Sequence, residues 1–155
     1  MSQELSREHG SIHAIHLSDH TRQPMQSRDR ATAVPDAGLA GCRHSKPGND
    51  RAVLLVEGET LDTLSLAPAE IKENITTHGI DLRSLAPGSQ LQLGETVVLE
   101  VTGPCAPCRR MDEIRHGLQA ELQGRRGMNS RVVVGGHIQT GDRIKLIRPG
   151  RKLPG

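Results

Sequence analysis

The residues best suited to chemistry in this chain lie in one run, Cys105-Ala106-Pro107-Cys108-Arg109-Arg110, where an apolar alternating segment gives way to a helical pattern. A thiol in the first turn of a helix feels the positive end of the helix dipole. Arg109 and Arg110 add positive charge beside it. Both influences favour thiolate over thiol, and the thiolate is the form that attacks electrophiles or binds soft metals. The competing reading is that both cysteines are small core residues. Arg115, Arg125, Arg126 and Arg131 follow closely, and Gly124-Arg125-Arg126-Gly127 sets two guanidinium groups between glycines. Such a loop can turn backbone N–H groups and arginine forks toward a phosphate, although a lone arginine is more often a solvated side chain.

Three uses of these thiols stay open on the residues alone. Cys42 and His44 with Cys105 and Cys108 supply the ligand types of a Cys3His zinc site. Cys-x-Pro-Cys also suits a thioredoxin-type redox pair, which needs a βαβ setting. Alternatively, one cysteine ligates or carries something for an anionic cofactor held by the arginines. His44 and Asn74 are further polar candidates, each more commonly a hydrogen-bonding structural residue. No GxGxxG, Walker, HExxH or GxSxG pattern occurs.

The elements that must position these groups are mostly strands. Ser11–Leu17 alternates apolar residues with histidines, and Arg51–Glu57 is a short apolar run. Ile71–Thr77 alternates and suits a strand. Leu91–Gly103 is a hairpin turning at Gly94-Glu95. Met111, Ile114, Leu118 and Leu122 share a helical face that Gly117 divides into two short helices. Arg131–Gly136 and Arg143–Ile147 read as strands joined by the polar turn HIQTGD. Helical spacing marks Gly58–Leu66, and one helical turn is expected within Gly79–Ser89. Residues 18–50 are polar and broken by Pro and Gly, longer than an ordinary connection.

The chain has 155 residues, enough for one domain with its own core. It contains no Phe, Tyr or Trp, so Leu, Ile, Val, Met and Ala must fill that core, and base-stacking modes of single-stranded nucleic-acid binding are nearly excluded. A formal charge of +2 is too small to imply duplex DNA binding. No apolar stretch reaches the roughly 18 residues of a membrane helix. The N-terminus is polar, unlike a secretory signal. Three cysteines without such a signal point to reduced thiols and a cytoplasmic protein.

Several runs in order resemble the MOSC domain, the C-terminal domain of molybdenum-cofactor sulfurases. They are Gly38–His44, Lys72–Leu82, Leu85 with Gly88 and Leu91–Gly94, Leu99–Cys108, Gly124–Gly127, and Gly135-Gly136 with Gly141-Asp142. The resemblance covers about residues 10–147, with tails at 1–9 and 148–155. It implies a mainly β (α+β) fold, a mixed β-barrel with short attached helices. It also implies a molybdenum-pterin cofactor with Cys108 as the metal ligand and Cys105 its neighbour. Arg109, Arg110, Arg125 and Arg126 would contact the pterin phosphate, and Asn74 and His44 would line the substrate side. The implied activity is reduction of N-hydroxylated compounds. The alternative is a carrier that holds a persulfide on Cys108 for transfer, with Cys105 resolving it. Implied partners are a small-molecule cofactor and substrate and a desulfurase or electron-donor protein, with no nucleic acid and no membrane. Pyridoxal phosphate would enter only with a partner domain. Two residues depart from the family pattern: Lys72 stands where Arg is frequent, and Cys42 where Asp is frequent.

Overall fold

A computed structural model describes residues 5–19 and 23–151, so parts of both expected tails (1–4 and 152–155) lie outside the described residues. Among these, the elements run β1 (His9–Leu17), β2 (Gln26–Arg28), β3 (Arg30–Val34), β4 (Gly38–Leu39), β5 (Val53–Glu57), α1 (Gly58–Thr63) and β6 (Ile75–His78). A 3-10 turn (Leu82–Ser84) leads to β7 (Gln90–Leu93), β8 (Val97–Pro104), α2 (Arg110–Ile114), α3 (Leu118–Glu121), β9 (Met128–Val134), β10 (Gly136–Gln139) and β11 (Arg143–Arg148).

Seven strands close into a barrel in the order β11-β7-β8-β9-β5-β6-β1, because β1 pairs back onto β11. β1 serves two partners along one edge, β11 through His9–Ser11 and β2 through Ile15–Leu17. The sheet is mixed: β5 and β6 run parallel, and the other ladders are antiparallel. A parallel neighbour requires a crossover, here α1 and the turns through residue 74. Closure leaves the barrel without free edges and gives it an interior narrow enough for aliphatic side chains to fill. Ile12, Ile15, Leu55, Ile75, Leu91 and Leu99 do so, each at most 2% exposed. The expectation of a mixed β-barrel with short helices, filled without aromatics, matches the fold.

All five residues of β5 are buried because the strand faces two cores. Val53 and Leu55 point into the barrel. Leu54 and Val56 point outward, under a second cluster with Leu61, Ile71, Met111, Leu118 and Leu122 from the helices. Doubly covered strands read as continuous apolar runs, which explains VLLVE. Gly117, with φ 84, takes the left-handed turn that separates α2 from α3.

Three segments differ from expectation. Residues 18–50 contain β2, β3 and β4, and β3 pairs with β10 in a separate three-stranded sheet. β10 takes up His137–Gln139 of the expected HIQTGD turn. The pairing joins Thr32 to His137, so no local pattern announces it. The Ile71–Thr77 alternation yields a strand only from Ile75. Lys72 lies at φ 70, and the Glu73 carboxylate accepts hydrogen bonds from the Ala69 N–H and the Thr76 hydroxyl, which folds 69–74 into a turn.

Asn74, 1% exposed, fastens this turn to the barrel. Its Oδ1 accepts the Leu54 N–H at 3.0 Å, and its Nδ2 donates to the His16 carbonyl at 3.2 Å. Asn74→Ala strands both buried backbone groups and is expected to cost roughly 2–4 kcal/mol. Urea unfolding should show the lower midpoint with an unchanged slope; a loss under about 1 kcal/mol would mean water replaces the amide.

Candidate functional site

β8 leaves the barrel at Pro104, and residues 105–109 carry the chain to α2. The segment is pinned at both ends. The Cys105 N–H donates to the Gly127 carbonyl at 2.9 Å, and the Met111 N–H donates to the Cys108 carbonyl at 3.0 Å. Gln119 Nε2 donates to the Pro107 carbonyl between them. Gly127 is required at its position: at φ +108, a Cβ there would sit 2.3 Å from the Leu55 carbonyl oxygen.

Cys108 is exposed, Cys105 is half-buried and Cys42 is buried. Cys108 stands one residue before Arg109, the N-cap of a helix of only five residues. So short a run of aligned peptides sums to a weak dipole. The expected helix contribution is therefore small, and the field at the sulfur comes from side chains. Cys108 opens on a cleft of about 400 Å3 whose lining includes Arg43, Arg51, Lys72, Arg110 and Arg126 and no Asp or Glu. Five cations and no carboxylate on this lining suit the cleft to anions, with Glu113 beside Arg43, Lys72 and Arg110 in the adjoining cleft.

The expected site residues divide between two clefts. Arg110, Arg126, His44 and Asn74 line the cleft of Cys108. Cys105 and Arg125 line a neighbouring cleft of about 440 Å3 with Arg83. Arg109 is exposed and lines neither. Arg126 belongs to both clefts as their common wall. It is 7% exposed, its Nη2 donates to the Ile71 carbonyl at 2.6 Å, and its buried Nη1 has no protein partner. A buried guanidinium nitrogen left unpaired is costly, which marks it as a group awaiting an acceptor. The Asn74 amide is occupied by Leu54, His16 and Cys42, so this residue forms the floor of the cleft and holds it in shape.

Sequence reading did not select Arg43 and Arg51, because they lie in or beside the segment read as a long polar loop. It gave Cys42 a role only as a ligand in the zinc alternative. Cys42 Sγ lies 3.7 Å from His44 Nδ1 and 3.5 Å from Asn74 Nδ2. Burial pushes its thiol up, but hydrogen bonds from the His44 side chain and from the backbone of His44 and Ser18 outweigh burial and bring it down to about 7. The zinc alternative does not form: among the described residues no three His, Cys, Asp or Glu side chains are grouped to hold a metal ion. Nor is there a βαβ setting for a thioredoxin-type pair, since β8 is antiparallel to both its neighbours.

The charge of the cleft can be read with two alkylating reagents. In the native protein Cys108 should react first, Cys105 more slowly and Cys42 last. Anionic iodoacetate should gain on neutral iodoacetamide at Cys108, and added salt should erase the gain. Arg110→Ala should reduce it about two- to five-fold. Peptide mass spectrometry measures each rate; a ratio indifferent to salt would mean that the cations do not act on the sulfur.

Comparison with known proteins agrees with this architecture. Among solved structures, the YUAD protein from Bacillus subtilis superposes with a TM-score of 0.78 at 19% identity, covering 91% of this chain and 97% of that one. YiiM from Geobacillus stearothermophilus gives 0.72 at 16% identity over 89% of this chain and 75% of its own. YiiM from Escherichia coli gives 0.71 at 18% identity over 92% and 72%. At these identities the likeness is one of fold. No curated protein matches the chain. The family model of the MOSC domain matches residues 43–145, a span that runs from the cleft arginine Arg43 through both cysteines to the closing strand β11. This chain belongs to the MOSC domain family.

Proposed function

We propose that this MOSC domain binds a molybdenum-pterin cofactor through the Cys108 thiolate and works as a small reductase of N-hydroxylated compounds. The observation that carries the reading is an exposed thiol in a cleft lined by five cations and no carboxylate, with a buried, unpartnered Arg126 nitrogen in its wall. The donor set fits the group. A thiolate is the soft ligand that molybdenum takes, and arginine forks match the oxygens of a phosphate. When bound, the cofactor supplies the two-electron chemistry.

The chain's own residues do the rest. Cys108 offers its sulfur from a loop anchored at Gly127 and Met111, so little ordering accompanies binding. Arg126, fixed by the Ile71 carbonyl, directs its free nitrogen to an anion, and Arg110 adds charge from α2. Arg125 stands across the shared wall on the Cys105 side. His44 faces the substrate from the loop after β4, and the Asn74 amide holds the floor. Arg109, exposed and outside both clefts, is free to meet an electron-donor protein instead of the cofactor.

The persulfide-carrier reading is favoured by the exposure of Cys108, which suits attack on a desulfurase. It is weakened by Cys105 opening on a different cleft, where it is poorly placed to resolve a persulfide.

Protein made in a host that synthesises the cofactor should hold close to one molybdenum per chain. Cys108→Ser should abolish it, and Arg126→Ala should weaken retention about ten-fold or more. Elemental analysis of the purified proteins decides. Wild-type protein without molybdenum contradicts the proposal, and a mass gain of one sulfur atom on Cys108 after incubation with a desulfurase would favour the carrier.

A further inference from the structure

Cys42 is unused by the reading above, yet it sits in the most elaborate polar setting of any thiol in the described residues. It is 5% exposed. Its sulfur is approached by Asn74 Nδ2 at 3.5 Å and His44 Nδ1 at 3.7 Å. The surrounding turn is itself held: the Arg43 N–H donates to the Ser18 carbonyl at 2.6 Å, the Ser45 N–H to the Cys42 carbonyl at 3.0 Å, and Asn49 Nδ2 to the His44 carbonyl at 2.9 Å. His44 therefore has one ring nitrogen turned inward to the sulfur. Its Nε2 has no hydrogen bond among the described residues, and the residue lines the cleft into which Cys108 opens.

We propose that Cys42 and His44 form a proton relay serving the Cys108 cleft. The Cys42 S–H bond breaks as a new N–H bond forms at His44 Nδ1, giving a buried thiolate beside an imidazolium. The Nε2–H of that ring then donates its proton to the oxygen leaving a substrate, and the Nδ1–H remains on a neutral imidazole. Water returns a proton through Nε2, which resets the pair. Cleaving an N–O bond to an amine and water consumes two electrons, drawn from an electron-donor protein, and two protons. The relay delivers the proton that goes to the leaving oxygen. In this sense the inference rests on the reductase reading for what it serves, but not for its existence.

The thiol brought down to about 7 against its burial agrees with a pair in which either partner can hold the proton near neutrality. Charged groups that line the clefts with His44 are Arg43, Arg51, Lys72, Arg110, Arg126 and Glu113, and Glu73 acts on His16, whose carbonyl shares Asn74 Nδ2 with the sulfur. His44 would be the catalytic residue, and Cys42 the positioning residue and proton source.

Two measurements test this. With Cys105 and Cys108 replaced by Ser, only one thiol remains, and the absence of Tyr and Trp leaves its thiolate absorbance near 240 nm unobscured. The ionisation should centre near 7 and rise toward the ordinary thiol range of about 8.5 in His44→Ala. A midpoint already in that range, or one indifferent to His44→Ala, overturns the pair. In molybdenum-loaded, otherwise wild-type protein assayed with an aromatic amidoxime, His44→Ala should lower kcat about 100-fold, and Cys42→Ala about 10-fold, with KM and molybdenum content unchanged. Cys42→Asp, which restores an acceptor for Nδ1, should recover most of the rate, whereas a merely packing role would leave it no better than Cys42→Ala. A wild-type protein holding no molybdenum would defeat the cofactor reading alone, and the titration would then decide the pair by itself.

Discussion

The site depends on one buried amide. Asn74 comes just before β6, where the chain has turned through a left-handed Lys72 and its main chain bonds Leu54 and His16. Its side chain doubles those ties, reaching Leu54 on one side and His16 on the other, and spends its last donor on Cys42. Two strands of the closed barrel and the loop bearing His44 are thus tied at a single point. A polar group this deeply buried is stabilising only while fully satisfied, so the three contacts stand or fall together. The floor of the Cys108 cleft inherits its shape from that constraint.

The electrostatics follow from how separate elements converge on the same cleft. Arg43 and Arg51 come from the connection between β4 and β5, Lys72 from the turn before β6, Arg110 from α2 and Arg126 from the loop before β9. Barrel closure brings these distant segments together on one side. One carboxylate, Glu113, lies beside Arg43, Lys72 and Arg110 in the adjoining cleft, while Glu100 pairs with Arg131 and Glu121 with Arg115. The result is a concentration of charge in a chain whose overall balance is nearly neutral. This is why composition alone says so little about what it binds.

Much of the barrel was legible because its signals are local. The β7–β8 hairpin shows its alternation and turn within a dozen residues, and VLLVE declares a strand covered on both faces. The α2–α3 break was visible in Gly117. The β3–β10 pair was not, because short half-exposed strands more than a hundred residues apart carry no shared pattern. Within the site, Cys108 and Arg126 stood out by type and spacing. The separation of Cys105 from Cys108 did not: three residues apart, the two thiols open on opposite sides of one arginine, and only the path of the loop decides that. Cys42 looked like a departure from a family pattern, and its meaning depended on partners contributed by three different segments.

The central claim is that the sulfur of residue 108 enters the coordination sphere of a molybdenum atom held in this cleft. X-ray absorption at the molybdenum edge, recorded on the loaded wild-type protein and on the same cofactor free in solution, addresses that bond itself. The account requires one more sulfur neighbour in the protein than in the free cofactor. Identical sulfur shells in the two samples would contradict it.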